Sequence, residues 1–253
     1  MRFFIFVILH KQNLYCYNKK MKNENNLIPQ HIAIIIDGNR RWARSNNLPT
    51  FEGHRIGFDK VKKIAEYALE KGVKIMTIYA FSTENWKRSQ DEVDYLLGLF
   101  KILLEKEARG LLDKGIKLQI LGNRSGLSKD LQAAITKAEA LTQSADRGIL
   151  NICFNYGGRD EIVRAVQKII ADKIPAADIT EDVIKENLYT KNMIDPDFII
   201  RTSGEQRLSG FLTWQSVYSE LYFTKKMWPE FEPEDFDLAL EEYSNRHRRF
   251  GGN

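Results

Sequence analysis

The stretch His31-Ile-Ala-Ile-Ile-Ile-Asp-Gly-Asn-Arg-Arg-Trp-Ala-Arg44 decides the fold. Ile32 to Ile36 is a run too short for an independent helix and rich in β-branched residues, so it predicts a strand buried on both faces of a parallel sheet. Asp37 is then the first residue to leave the core. Gly38 permits a tight turn, and Asn39 is placed to cap a helix begun by Arg40, Arg41 and Trp42. Free N–H groups, a helix N-terminus and guanidinium forks meeting at one point make an anion site, and diphosphate is the natural guest. An acid among those cations makes most sense with a divalent metal between its carboxylate and the phosphate oxygens. The plainer alternative has Asp37 capping a helix beside solvated arginines.

The rest of the chain extends this pattern. With 253 residues, 43% hydrophobic and 28% charged, it has the composition of one α/β domain. The net charge of +4 lies entirely within residues 1–20, and residues 21–253 sum to zero, which argues against nucleic-acid binding. Cys16 and Cys153 give neither a disulfide framework nor a metal spacing, so a reducing, cytoplasmic setting is expected. Phe3 to Leu9 is too short to span a membrane. Residues 1–27 read as a flexible leader, with Met21 an alternative start, and 28–253 as a single catalytic domain.

Helical periodicity marks Phe58 to Leu69, Val93 to Leu112, 127–144, 159–171, about 180–188 and about 233–248. Ile162, Val163, Val166 and Ile169 are expected to pack on one side of the helix at 159–171. Strands are expected at Val73–Phe81, Ile116–Leu121, Ile149–Phe154, Phe198–Ile200 and Glu220–Phe223. Six strands alternating with helices predict one six-stranded, mainly parallel sheet covered by helices.

Five polar segments follow strand ends, where open α/β sheets bind ligands. They begin at Asp37, Ser82, Gly122, Asn155 and Arg201, and most hold an arginine. In Ser82-Thr-Glu-Asn-Trp-Lys-Arg88, Ser82 and Arg88 suit phosphate, Asn85 suits accepting or orienting a proton, and Trp86 offers an apolar wall. Equally, Ser82 or Thr83 caps a turn and Trp86 packs on the core. Arg201-Thr-Ser-Gly-Glu-Gln-Arg207-Leu-Ser209 reads as a phosphate clamp, unless Glu205 braces one of its arginines. His54 falls near the start of a helix, as a phosphate contact or a structural group. The leucine stripe of 93–112 is core, with an apolar groove for a lipid-like substrate as an added use.

Taken together, HIAIIIDGNRRWAR, Gly53-His54, YAFSTENWKR, NYGGRDEI and IRTSGEQRLSGFLTWQSVYSELYF resemble the cis-prenyltransferases of the bacterial undecaprenyl diphosphate synthase type, over about residues 28–251. The resemblance implies stepwise condensation of isopentenyl diphosphate onto farnesyl diphosphate with cis stereochemistry. It also implies magnesium, a homodimer, a long-chain polyprenyl diphosphate for cell-wall lipid carrier synthesis, and peripheral contact with the inner membrane face through that product. On these residues it makes Asp37 the essential magnesium-linked acid and Glu220 a second magnesium acid. Gly38, Asn39, Arg40, Arg41, Trp42 and His54 surround the allylic diphosphate. Ser82, Thr83, Glu84, Trp86 and Arg88 shape the reacting region, with Asn85 as proton acceptor. Arg201, Arg207, Leu208 and Ser209 hold isopentenyl diphosphate, and Arg249-Phe250-Gly251 reaches toward a neighbouring subunit.

The chain departs from the family's pattern at several points. Arg40 stands where glycine is usual, Thr50 where a diphosphate-binding arginine is expected, Gln206 where a histidine often assists magnesium, and Gly210 where asparagine is common. Competing readings are a phosphohydrolase with Asp37 as nucleophile, which usually carries an aspartate where this chain has Asn39, and a non-catalytic partner subunit of the same family. A trans-type prenyltransferase would need DDxxD motifs, and the sequence has none.

Overall fold

A computed structural model describes residues 27–246. The expected leader up to residue 26, Met21 and Arg249-Phe250-Gly251 lie outside the described residues.

The opening stretch forms β1 (His31–Ile35), with all five residues buried. It sits inside a six-stranded sheet with β2 (Ile75–Ser82), β3 (Ile116–Leu121), β4 (Gly148–Tyr156), β5 (Phe198–Arg201) and β6 (Glu220–Phe223), ordered β3-β4-β2-β1-β5-β6. Every pairing is parallel, so all C-terminal strand ends share one edge. The helices are α1 (Asn39–Ser45), α2 (Thr50–Glu70), α3 (Gln90–Asp113), α4 (Lys129–Thr142), α5 (Gly158–Ala171), α6 (Glu181–Glu186) and α7 (Pro233–Ser244).

Side chains alternate across each strand, so β1 supplies both cores. Ile32 and Ile34 face a large core built with Ile64 of α2, Phe100 of α3, Ile135 of α4 and Phe236 of α7. Ala33 and Ile35 face a smaller one with Tyr79, Cys153, Phe211 and Leu212. Ile34 is fully buried, and truncation to alanine costs about 2–5 kcal/mol. Burial pushes the Cys153 thiol well above its usual range, leaving it an inert packing group.

Two expectations need correction. Asn39 is the first residue of α1 rather than its cap, because Gly38 holds the cap position with φ 105°. In addition, α5 buries Ile169 of the expected set and half-buries Ile162 but leaves Val163 and Val166 56% and 41% exposed; Ala165 and Glu161 face inward with Ile169. The cause is polar. Glu161 is fully buried and accepts hydrogen bonds from Tyr156 Oη (2.7 Å), the Tyr189 amide (2.7 Å) and Gln215 Nε2 (3.0 Å). Satisfying that carboxylate sets the rotation of the helix, and the valines follow it outward.

Candidate active site

Asp37 lies two residues beyond the end of β1, and its environment is made by β5. Ile35 pairs with Arg201 across the ladder, which sends the Arg201 guanidinium past the strand end. Its Nη2 donates to Asp37 Oδ2 at 3.0 Å, and its Nη1 donates to Ser209 Oγ at 2.9 Å and to the Arg207 carbonyl. The Arg201 side chain is only 5% exposed. Arg201 is therefore a buried tie between the acid and the Ser209 loop. The other Asp37 oxygen accepts from the Gly38 amide at 2.7 Å and faces Arg41 at 3.4 Å. Thr202 Oγ1 and the Trp228 amide both bond the Asp37 carbonyl, fixing the backbone there. A side chain at position 38 is excluded, since a Cβ there would lie 2.9 Å from Ser203 Oγ and from Met227 Cβ.

The second arginine of the clamp points outward. Arg207 is 61% exposed and pairs with Glu205 at 2.5 Å, while Glu205 also faces Arg41 at 3.6 Å. Glu205 thus pairs with one arginine of the clamp, Arg207, and with Arg41 of α1. Leu208 packs against the smaller core, Gln206 and Ser209 are exposed, and Ser203 and Ser209 adopt φ of 76° and 51°. Such left-handed conformations outside glycine are held only where surrounding structure enforces them, and they gather at functional sites.

Residues 82–88 leave β2 through a register irregularity near Phe81 and form a single 3-10 turn. Ser82 and Asn85 make a reciprocal capping box, with Asn85 Oδ1 accepting from the Ser82 amide at 3.0 Å. Trp86 Nε1 donates to Asn155 Oδ1 at 2.7 Å, and Asn155 Nδ2 donates to the Asn123 carbonyl at 2.7 Å. The Asn123 and Asn155 segments thereby support this turn from β3 and β4. Thr83 is half-buried and Glu84 is exposed, 3.4 Å from the Thr83 hydroxyl.

Arg88 leads to a residue that the sequence reading missed. Glu92, in the first turn of α3, is 7% exposed and accepts from Arg88 Nη1 at 2.9 Å. It also faces Arg40 at 3.5 Å and His54 Nε2 at 3.5 Å. The available signal was an acid four residues after Arg88, the spacing of a helical ion pair. His54 itself is buried on α2, and its pKa is lowered to about 4, by burial first and then by Arg88, so it is neutral near pH 7. Asn39 is held by close packing of α1 on α2. A Cβ at Gly53 would lie 2.1 Å from the Asn39 carbonyl oxygen. Trp42 is half-buried on α1, and Thr50 is the first residue of α2.

Glu220 is not brought to this cluster. It opens β6 opposite Phe198, which pairs with Ile32, so it lies at the far edge of the sheet. Five strand residues, about 16 Å, separate its level from that of Asp37. Its carboxylate pairs with Arg246 at 2.9 Å. Arg124 is also occupied elsewhere, by Glu139 at 2.6 Å.

An apolar cavity of about 70 Å³ lies between α2 and α3 above β3 and β4, lined by Phe58, Val61, Phe100, Leu104, Leu111 and Ile152. Lys62 and Glu107 close its side with an ion pair of 2.6 Å. His54 and Glu92 stand on the same two helices, toward their N-termini. A further cleft of about 740 Å³, lined by both polar and apolar groups, lies between β3 and residues 186–193 and includes none of the Asp37 cluster.

The sequence profile of the undecaprenyl diphosphate synthase family of prenyltransferases matches residues 35–251. The isoprenyl transferase of Thermotoga maritima is 47% identical over 227 residues, 89% of this chain and 97% of the relative. A Legionella pneumophila ditrans,polycis-undecaprenyl-diphosphate synthase, named as specific for (2E,6E)-farnesyl diphosphate, is 46% identical over 90% of this chain and 97% of its own. Among solved structures, lavandulyl diphosphate synthase of Lavandula x intermedia, in complex with dimethylallyl diphosphate, has a TM-score of 0.86 and 38% identity, covering 90% of this chain and 100% of that one. The chain is a transferase that belongs to the undecaprenyl diphosphate synthase family of prenyltransferases.

Proposed function

We propose that this protein condenses isopentenyl diphosphate stepwise onto farnesyl diphosphate with cis stereochemistry. Its product is then a long-chain polyprenyl diphosphate for cell-wall lipid carrier synthesis. The observation that carries this reading is a cationic strand-end cluster together with an apolar cavity between α2 and α3, the helices on which His54 and Glu92 stand. A diphosphate head suits the first; the second, at about 70 Å³, is an apolar opening that must widen to take a prenyl tail.

The reaction breaks an allylic carbon–oxygen bond and releases diphosphate, while the isopentenyl double bond attacks the allylic carbon and a proton leaves. Negative charge grows on the departing oxygen. Arg41 and Arg207, exposed at the strand ends, are available to stabilise it, and Arg201 holds Asp37 and Ser209 in register. Arg40 and Arg88 extend the cationic surface toward α3. Neutral His54 offers a hydrogen bond rather than a charge. Asn85 Oδ1 accepts from the Ser82 amide, which positions the turn and leaves its second lone pair for the departing proton.

Magnesium fits the donors present. The Asp37 side chain is 30% exposed and supplies hard oxygens, and among the described residues no group of three or more acidic, histidine or cysteine side chains forms a metal cage. A lone carboxylate beside a diphosphate is the usual magnesium arrangement, in which substrate oxygens complete the shell. Bound at Asp37, the ion would neutralise diphosphate charge. Glu220 is too distant to share that ion within one chain. The expected homodimer is supported by α5, whose exposed Val163, Val166 and Ile170 recur on one helical face. Among the described residues no helix is long and apolar enough to cross a membrane. Membrane contact at the cytoplasmic face is proposed through the lipid product.

The test is incubation of purified protein with labelled isopentenyl diphosphate, magnesium, and either farnesyl or dimethylallyl diphosphate, followed by sizing of the products. Long polyprenyl diphosphates from farnesyl diphosphate are expected. A single-condensation product, or none, would sink the reading.

A further inference from the structure

Glu92 is buried where burial is not needed for helix formation. Asp91, its neighbour in the same first turn of α3, complements the helix dipole from solvent. Glu92 turns inward instead, toward basic groups from three other elements. Oε1 accepts from Arg88 at 2.9 Å and faces His54 Nε2 at 3.5 Å, while Oε2 faces Arg40 Nη1 at 3.5 Å. Arg40 and Arg88 keep 45% and 27% of their side-chain surface exposed, so both remain reachable by a ligand.

These partners come from α1, from the turn after β2 and from α2. Without an anion among them, two guanidinium groups would repel each other and leave that side of the site splayed. One carboxylate with two oxygens matches the forked donors as a phosphate group would. We propose that Glu92 is an internal stand-in for substrate diphosphate: it gathers Arg40, Arg88 and His54 in the empty enzyme and yields them when diphosphate enters. The inference rests on the diphosphate reading of the site and adds a competing anion to it. Substrate must displace Glu92 from its cations, so part of the intrinsic affinity is lost in exchange for a site that is already assembled.

The experiment is calorimetric titration of the full chain with inorganic pyrophosphate, with and without magnesium. Glu92→Gln keeps the shape and removes the charge, and is expected to bind pyrophosphate about three- to tenfold more tightly than wild type. Glu92→Asp withdraws the charge by one methylene and is expected to fall between the two, which keeps a test in hand should the amide variant fail to fold. Steady-state assays should show KM falling in Glu92→Gln while kcat does not rise. A merely structural glutamate would weaken binding as it lowered the melting temperature. Unchanged or weaker pyrophosphate binding in folded Glu92→Gln overturns the inference. Wild-type protein that binds no pyrophosphate overturns the diphosphate reading itself, so the two failures are distinguishable.

Discussion

The strand-end cluster around Asp37 and the cavity between α2 and α3 follow opposite physics. In the first, charges are numerous and shared: Arg201, Arg41, Glu205 and Arg207 form a chain of ion pairs running outward from one acid. In the second, the walls are apolar and the charge is confined to the Lys62–Glu107 pair at the side. The cluster acts through field and geometry, which one substitution destroys. The cavity acts through volume, which one substitution only trims. A substrate with a charged head and a hydrocarbon tail would need both kinds of site, and each kind fails differently.

The largest effect should come from the acid at the centre. Asp37→Asn preserves size but removes the charge that Arg201 and Arg41 surround, and turnover should fall by about a thousandfold or more. The melting temperature should fall as well, because the buried Arg201 guanidinium loses its counter-ion, so folding of the variant is checked by circular dichroism at the assay temperature. Near-normal turnover in a folded variant would refute its role and dissolve the contrast between the two regions.

The histidines give the next effect. His31, at the start of β1, accepts at one ring nitrogen from Thr77 Oγ1 (2.7 Å) and donates from the other to the Ile194 carbonyl (2.8 Å). Burial lowers its pKa to about 4, as it does for His54 in the site. A depressed histidine pKa means that the unfolded chain binds the proton more readily. Stability is therefore full above about pH 6.5 and falls as pH drops toward 4, by on the order of 3 kcal/mol for His31. Denaturant melts across that range should show the decline, and His31→Asn should flatten it. A decline of equal size in that variant would assign the acid loss to other groups.

How much of this was legible depends on the range of the interaction involved. The strand Ile32 to Ile36 could be read because its burial follows from its own apolar run, and Asp37 because it ends that run abruptly. Arg201 was legible as a cation but not as a buried tie, since its partners lie 164 residues away at Asp37 and eight away at Ser209. Glu220 shows the opposite limit: a motif match places a residue on a strand without saying which edge of the sheet it faces. The α5 stripe was misread because apolar periodicity ignores a buried carboxylate. Glu161 finds three partners on β4 and in residues 189–215, and no local pattern announces them. Glu92 carried one local signal, its i,i+4 spacing from Arg88, while its contacts with Arg40 and His54 come from distant segments.

Trp86 is 39% exposed, with its ring edge-on to Phe81 and its Nε1 bonded to Asn155. Trp86→Phe keeps the aromatic contact and removes only the bond that ties the 82–88 turn to β4. A loss of about tenfold in kcat/KM is expected, the value of one hydrogen bond of about 1–1.5 kcal/mol. No loss would show that the turn is held by its capping box alone.

The smallest effect on rate, and the sharpest on the division of labour, belongs to the cavity. Leu104 is 5% exposed and lines it, so Leu104→Trp fills space without touching the charged cluster. Overpacking costs about 1–3 kcal/mol of stability. The first condensation should proceed within about twofold of wild type, because no group that handles diphosphate has moved. The product distribution should nonetheless shift to shorter chains, since each added isoprene unit needs apolar volume that the indole now occupies. Sizing the products under single-turnover and multiple-turnover conditions separates the two outcomes. If Leu104→Trp slows the first condensation as severely as it shortens the product, head and tail are not handled by separate regions, and the cavity acts on the reacting atoms themselves.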